Sequence, residues 1–206
     1  MENYLLYVLM CVLLIILPGP DTAVVTKNTL VRNKQEGFKT MLGTLTALMV
    51  HTTFAIVGLS AIIVKSALLF TIIKYIGAIY LVYLGITTMI AMLKKKVETV
   101  EVNEEPNRKS SYLQGLFTNL LNPKVAVFFL TFLPQFVKSP EDAFIPFLFL
   151  GITYTVLTFI WFVLYIVLLN QVRTFMKKPS TEKWMEGLTG TVLIGFGIKL
   201  ALEKAQ

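Results

Sequence analysis

Leu17-Pro18-Gly19-Pro20-Asp21-Thr22-Ala23-Val24 interrupts one long apolar run, and Asn119-Leu120-Leu121-Asn122-Pro123-Lys124-Val125-Ala126-Val127 interrupts another in the second half of the chain. Pro18 and Pro20 lack backbone donors and clash with the carbonyls before them, so no unbroken helix passes through residues 17–20. A new half-helix can begin there, with Gly19 as N-cap, Pro20 at the first helical position and Asp21 in the first turn. The second stretch makes the same object from Asn122, a preferred N-cap, then Pro123 and Lys124.

Outward from these breaks the chain is apolar almost throughout. Hydrophobic residues make up 55% and charged residues 15% of its 206, too little charge to cover a soluble domain of that length. Six segments are long and apolar enough to span a bilayer: 4–31, 40–64, 70–93, 112–137, 142–169 and 184–202. The expected fold is all-α and integral to the membrane, with six transmembrane helices, the first and fourth broken. It forms one membrane domain over 1–206, with a first repeat at about 1–93, a cytoplasmic loop at 94–111 and a second repeat at about 112–206. The first segment has no basic n-region and no small-residue cleavage site, so it is expected to stay in the mature protein.

The net charge of +7 would draw attention to nucleic acid were it not so placed. Thirteen of the nineteen basic residues lie in three connections. Lys27, Arg32, Lys34 and Lys39 follow span 1; Lys94, Lys95, Lys96, Arg108 and Lys109 follow span 3; Arg173, Lys177, Lys178 and Lys183 follow span 5. The positive-inside rule puts these connections in the cytoplasm and both termini outside. The expected partners are therefore the lipid bilayer and a small-molecule substrate, not nucleic acid, and a homo-oligomer stays open.

The two breaks belong to a repeat. Pro20 falls on Pro123, Asp21 on Lys124, Ala23 on Ala126 and Val24 on Val127; Leu42-Gly43 matches Leu150-Gly151, and Gly77 matches Gly190. A repeat of three spans lies inverted relative to its partner, as in many secondary transporters. Chance similarity between apolar helices is the plain alternative.

Broken helices at membrane depth are tolerated where they are buried in protein or line a wet cavity, and their N-termini present free amides to a carboxylate. The expected substrate-binding residues are Gly19, Pro20, Asp21, Thr22, Asn122, Pro123 and Lys124. Asp21 and Lys124 are costly charges at such depth. A buried ion pair between them would be a structural explanation, although such pairs are poor sources of stability. Lys124, Phe128, Thr131 and Gln135 share one helix face, as do Asp21, Val25, Asn28 and Arg32. His51, in span 2 with Thr44 on its face, suits a proton relay with Asp21. A neutral histidine hydrogen-bonded between helices accounts for it equally well. One histidine and one cysteine, Cys11, make no metal centre, and no cofactor motif or G-x-S-x-G nucleophile elbow is present.

Pro18-Gly19-Pro20-Asp21, Gly43, Tyr80-Leu81-Val82-Tyr83-Leu84-Gly85 and Asn122-Pro123-Lys124 together resemble the LysE/RhtB family of small bacterial amino-acid exporters. The similarity covers essentially the whole chain. It implies a non-enzymatic secondary transporter in the bacterial plasma membrane that exports an amino acid or related metabolite, driven by the proton gradient. His51 belongs to no motif of the resemblance. Export of another small solute or a metal ion, or a role as a non-transporting membrane subunit, are the alternatives.

Overall fold

The computed structural model describes residues 4–59, 67–93, 110–137, 143–169, 171 and 179–202, all helical apart from short turns and caps. The helices are α1 (Tyr4–Ile16), α2 (Pro20–Val31), α3 (Lys34–Phe54), α4 (Ala67–Leu93), α5 (Ser111–Leu120), α6 (Pro123–Val127), α7 (Phe144–Val167) and α8 (Pro179–Leu202). Most of the expected loop 94–111 and of the basic connection 173–183 lies outside the described residues, as do both extreme termini.

Both expected breaks are present. α1 and α2 meet at 49°, and so do α5 and the segment Pro123–Phe136. Gly19 and Asn122 stand as the N-caps, each followed by proline at the start of the next helix. Asn122 Oδ1 accepts from the Lys124 amide at 3.1 Å, satisfying one donor of the new half-helix. Beyond α6 the helix widens to a π-turn over Phe128–Phe132 and tightens to a 3-10 turn over Leu133–Phe136. Pro134 accounts for this, because its ring collides with the carbonyl four residues back and it offers no amide.

α3 and α7, and each bent pair taken as one span, are long and apolar enough to cross a membrane. α4 and α8, with 27 and 24 residues, have the length as well. Helix starts differ from expectation by a few residues. The largest shift is at α3, which begins at Lys34 rather than 40 because the Asn33 side chain accepts from the Glu36 amide at 3.1 Å.

Side-chain contacts give the directions. Tyr7 donates to the Leu150 carbonyl at 2.7 Å near one end, and Lys34 donates to the Val167 carbonyl at 3.3 Å near the other, so the first bent pair runs with α7. Thr52 packs on Gly151 while Met49 meets Thr155, so α7 runs against α3. Gly43 abuts Tyr112 and Leu116 while His51 reaches Asn119, so α3 runs with α5. The two broken helices therefore enter the bundle from opposite sides.

Two glycine contacts set how closely the helices approach. A methyl on Gly43 would fall on the Tyr112 carbonyl, and one on Gly115 would fall on the Thr40 carbonyl. Gly85 and Gly190 likewise face each other's carbonyls where α4 crosses α8. Small residues let backbones touch, which is the main means of helix association where lipid removes the hydrophobic drive.

The interior is aromatic around Tyr7, Phe128, Phe129, Phe132, Phe136, Phe147 and Tyr154, which join α1, the end of the second bent pair and α7. The outside is apolar too. Ile79 and Ile145 are about two-thirds exposed or more, as on a surface that faces lipid rather than water.

Candidate functional site

The half-helix starts converge on a cavity between α1, α2, α3, α5, α6 and α7. Its walls include Gly19, Asp21, Thr22 and Lys124 from the breaks, Thr44 and Leu48 from α3, Asn119 from α5, and Tyr154, Thr158 and Phe162 from α7. It is narrow, about 20 Å³, room for about one water.

Asp21 sits in the first turn of α2, where the free amides of a helix start favour an anion. Its Oδ2 accepts from Asn122 Nδ2 at 2.8 Å and from Asn119 Nδ2 at 3.1 Å, while Oδ1 is buried without a partner. Both amides come from the second bent pair, so the carboxylate of one break is held by the other.

Lys124 starts α6, where the dipole disfavours a cation. Its side chain leaves that position and carries Nζ across to the end of α1, donating to the Leu14 carbonyl at 3.0 Å and the Leu17 carbonyl at 3.5 Å. Those are carbonyls that the break leaves without helical amides, at the negative end of α1. The ammonium thus caps α1 while standing at the cavity wall.

The buried ion pair weighed from sequence does not form. Asp21 and Lys124 face the same cavity, but each takes uncharged partners. The remaining expected site residues divide. Pro20 and Pro123 are exposed and set the breaks without lining the cavity, and Asn122 stands behind Asp21. His51 does not line it either. Its Nε2 lies 3.3 Å from the Asn119 carbonyl, and its ring stacks on Phe129 with centroids 5.6 Å apart. One residue, Asn119, therefore separates His51 from Asp21.

Sequence reasoning missed Asn119 as a ligand of Asp21, and missed Thr44, Tyr154, Thr158 and Phe162 as cavity walls. Asn119 carried one faint signal, a second asparagine one turn before the cap.

At the far end of α2 a polar cluster joins three helices. Ser111 donates to Glu36 Oε2 and accepts from Arg32 at 3.1 Å, and Asn28 donates to Thr40 at 2.8 Å. With Lys34 on the α7 carboxyl end, these contacts gather at one end of the bundle the points where all three basic connections attach.

Residues 12–204 match the family of the LysE type translocator. The chain belongs to the LysE translocator family. Members of the LysE family are membrane transporters, so this protein is one, and not an enzyme. It is 35% identical to an uncharacterized membrane protein, YrhP, of Bacillus subtilis (strain 168), over 98% of this chain and 100% of that one. It is 29% identical to a leucine efflux protein of Klebsiella pneumoniae, over 97% of this chain and 94% of that one. A threonine efflux protein of Escherichia coli (strain K12) is 32% identical, over 91% of each chain. No solved structure matches significantly.

Proposed function

We propose that the protein exports an amino acid from the cytoplasm by alternating access around the cavity between the two broken helices, coupled to proton entry. The observation that carries this reading is that a carboxylate and an ammonium reach one buried cavity from two breaks and do not pair with each other. An α-amino acid carries the complementary pair of charges. Asp21 takes the ammonium, while Lys124 and the half-helix amides attract the carboxylate. The efflux relatives named above agree with this chemistry.

An amino acid is several times larger than the present cavity, so binding requires the walls to part. The breaks are the natural hinges, because rigid half-helices can rock about a short unwound segment. The two broken helices enter from opposite sides, which suits two inverted repeats exchanging roles between an inward-open and an outward-open state. Protonation of Asp21 on the outer side weakens its hold on the ammonium and releases the substrate. A proton held by His51 needs a water to reach Asp21, because the residue between them, Asn119, offers a backbone carbonyl and an amide and no titratable group. We take the polar cluster to face the cytoplasm, with the protein in the plasma membrane and both termini outside, a reading supported by the basic connections that gather beside it.

The test is efflux from cells preloaded with labelled amino acids, expressing wild type or Asp21→Asn at equal membrane levels. Faster efflux of one amino acid by wild type, lost in Asp21→Asn, is the expected result. Undiminished efflux by Asp21→Asn would remove Asp21 from the site.

A further inference from the structure

Three oxygens at the cavity are buried and have no hydrogen-bond partner: Asp21 Oδ1, Asn119 Oδ1 and Thr44 Oγ1. Buried polar groups are seldom left so, because their desolvation is not repaid. Each is held in this condition by the fold. Asp21 and Asn119 spend their other polar atoms on each other, Asn119 Nδ2 donating to Asp21 Oδ2 at 3.1 Å. That donation also fixes which end of the Asn119 carboxamide is the oxygen without a partner.

Thr44 is the more telling case. Threonines in these helices turn the hydroxyl back to the carbonyl four residues earlier, as Thr26, Thr29, Thr40, Thr46, Thr52 and Thr158 do. Thr44, only 1% exposed, lines the cavity and leaves that bond unmade. Its hydroxyl is thus left without a partner at the cavity wall.

We infer that Asp21 Oδ1, Asn119 Oδ1 and Thr44 Oγ1, from three different helices, form the seat of a primary ammonium belonging to an amino acid with a neutral side chain, Thr44 being a specificity-determining ligand. A primary ammonium has three donors and no acceptor, which is the complement of three unpartnered oxygens. The side-chain class follows from charge. Asp21 and Lys124 are the charged residues of the cavity wall, and the substrate's own ammonium and carboxylate match both. A further charge on the side chain would be buried without a counter-charge, at high cost. Leu14, Leu48, Val125, Tyr154 and Phe162, with the hydroxyls of Thr22 and Thr158, make up walls suited to an aliphatic or hydroxylated side chain.

This inference rests on the amino-acid reading of the site and deepens it. The experiment is uptake of labelled leucine and threonine into proteoliposomes of the full-length protein, with unlabelled lysine, glutamate and N-acetyl-leucine as competitors, for wild type, Thr44→Val and Thr44→Ser. The expected result is transport of leucine or threonine, with all three competitors at least about tenfold weaker than the unlabelled substrate itself. Thr44→Val, nearly isosteric but without the hydroxyl, raises the half-saturating concentration about tenfold, and Thr44→Ser restores it. Lysine or glutamate competing as well as leucine would overturn the side-chain class, and N-acetyl-leucine doing so would overturn the ammonium seat. An unchanged half-saturating concentration in Thr44→Val would remove Thr44. If wild type moves no amino acid at all, the failure lies in the exporter reading itself. Competitor selectivity is measured on wild type, so it decides the inference even where a variant fails to fold.

Discussion

Asn122 joins the two breaks with one side chain: its Oδ1 caps the half-helix that Pro123 begins, and its Nδ2 donates to Asp21 Oδ2 at 2.8 Å. The start of one half-helix is thereby tied to the carboxylate at the start of the other. The N-cap contributes about 1 kcal/mol, and a hydrogen bond to a charged group about 1.5–3 kcal/mol. Asn122→Ala is expected to lose both, lowering stability by about 2–4 kcal/mol before coupling. Asn122→Asp keeps the cap but sets a second carboxylate against Asp21. The check is the thermal midpoint of purified protein in detergent, together with efflux. Equal midpoints for wild type and both variants would mean that the bridge is not a structural tie.

Lys124 gives a second prediction. Its ammonium ends on the Leu14 and Leu17 carbonyls, so Lys124→Met strips the α1 end of its cap and the cavity of its cation together. Efflux should fall to background, with a moderate loss of stability of about 1–3 kcal/mol. Gly19 separates the two roles. A methyl at Gly19 would stand 3.3 Å from Nζ, crowding the ammonium without removing it. Gly19→Ala should therefore stay folded and charged while its half-saturating concentration rises several-fold. Kinetics of Gly19→Ala indistinguishable from wild type would mean that the position of Nζ does not matter to the substrate.

The breaks were legible in the sequence because proline and N-cap rules act within a few residues, and both acted as expected at Gly19-Pro20 and Asn122-Pro123. The polar start of α3 was not, since hydropathy alone dates a span from its apolar part and Asn33 caps the helix seven residues ahead of it. What stayed hidden at the site was tertiary. Nothing in the spacing of Asn119 or Thr44 says that the one bonds Asp21 and the other shares its cavity, because they come from other helices. Lys124 was placed correctly on its own helix, yet a long side chain can leave that helix, and its anchoring carbonyls are backbone that any sequence would supply. The ion pair that charge alone allowed as a structural alternative does not form for the same reason: nearby amides and carbonyls offered each charge a partner.

The orientation is testable with little background. Cys11 is the single cysteine and is fully buried. Lys34 is exposed at the end where the basic connections gather, and Phe144, 56% exposed, begins α7 at the other end. A membrane-impermeant maleimide should label Phe144→Cys in intact cells and Lys34→Cys only after permeabilisation. The opposite pattern would invert the proposed topology and put the polar cluster outside the cell.

His51 decides between a relay and a strut. Its ring stacks on Phe129 and meets the Asn119 carbonyl, contacts that a neutral, non-titrating side chain could make as well. Histidine is the side chain best suited to exchange a proton during an exporter's cycle. His51→Gln keeps a donor for the Asn119 carbonyl and removes the titration. If the ring passes protons toward Asp21, His51→Gln should transport at its optimum within a few-fold of wild type but lose part of the pH dependence that wild type shows. His51→Phe should lose the carbonyl contact as well, adding a stability defect that His51→Gln lacks. A wild-type pH profile surviving in His51→Gln would leave His51 the simpler role, an imidazole wedged between Asn119 and Phe129 that holds Asn119 in reach of the carboxylate.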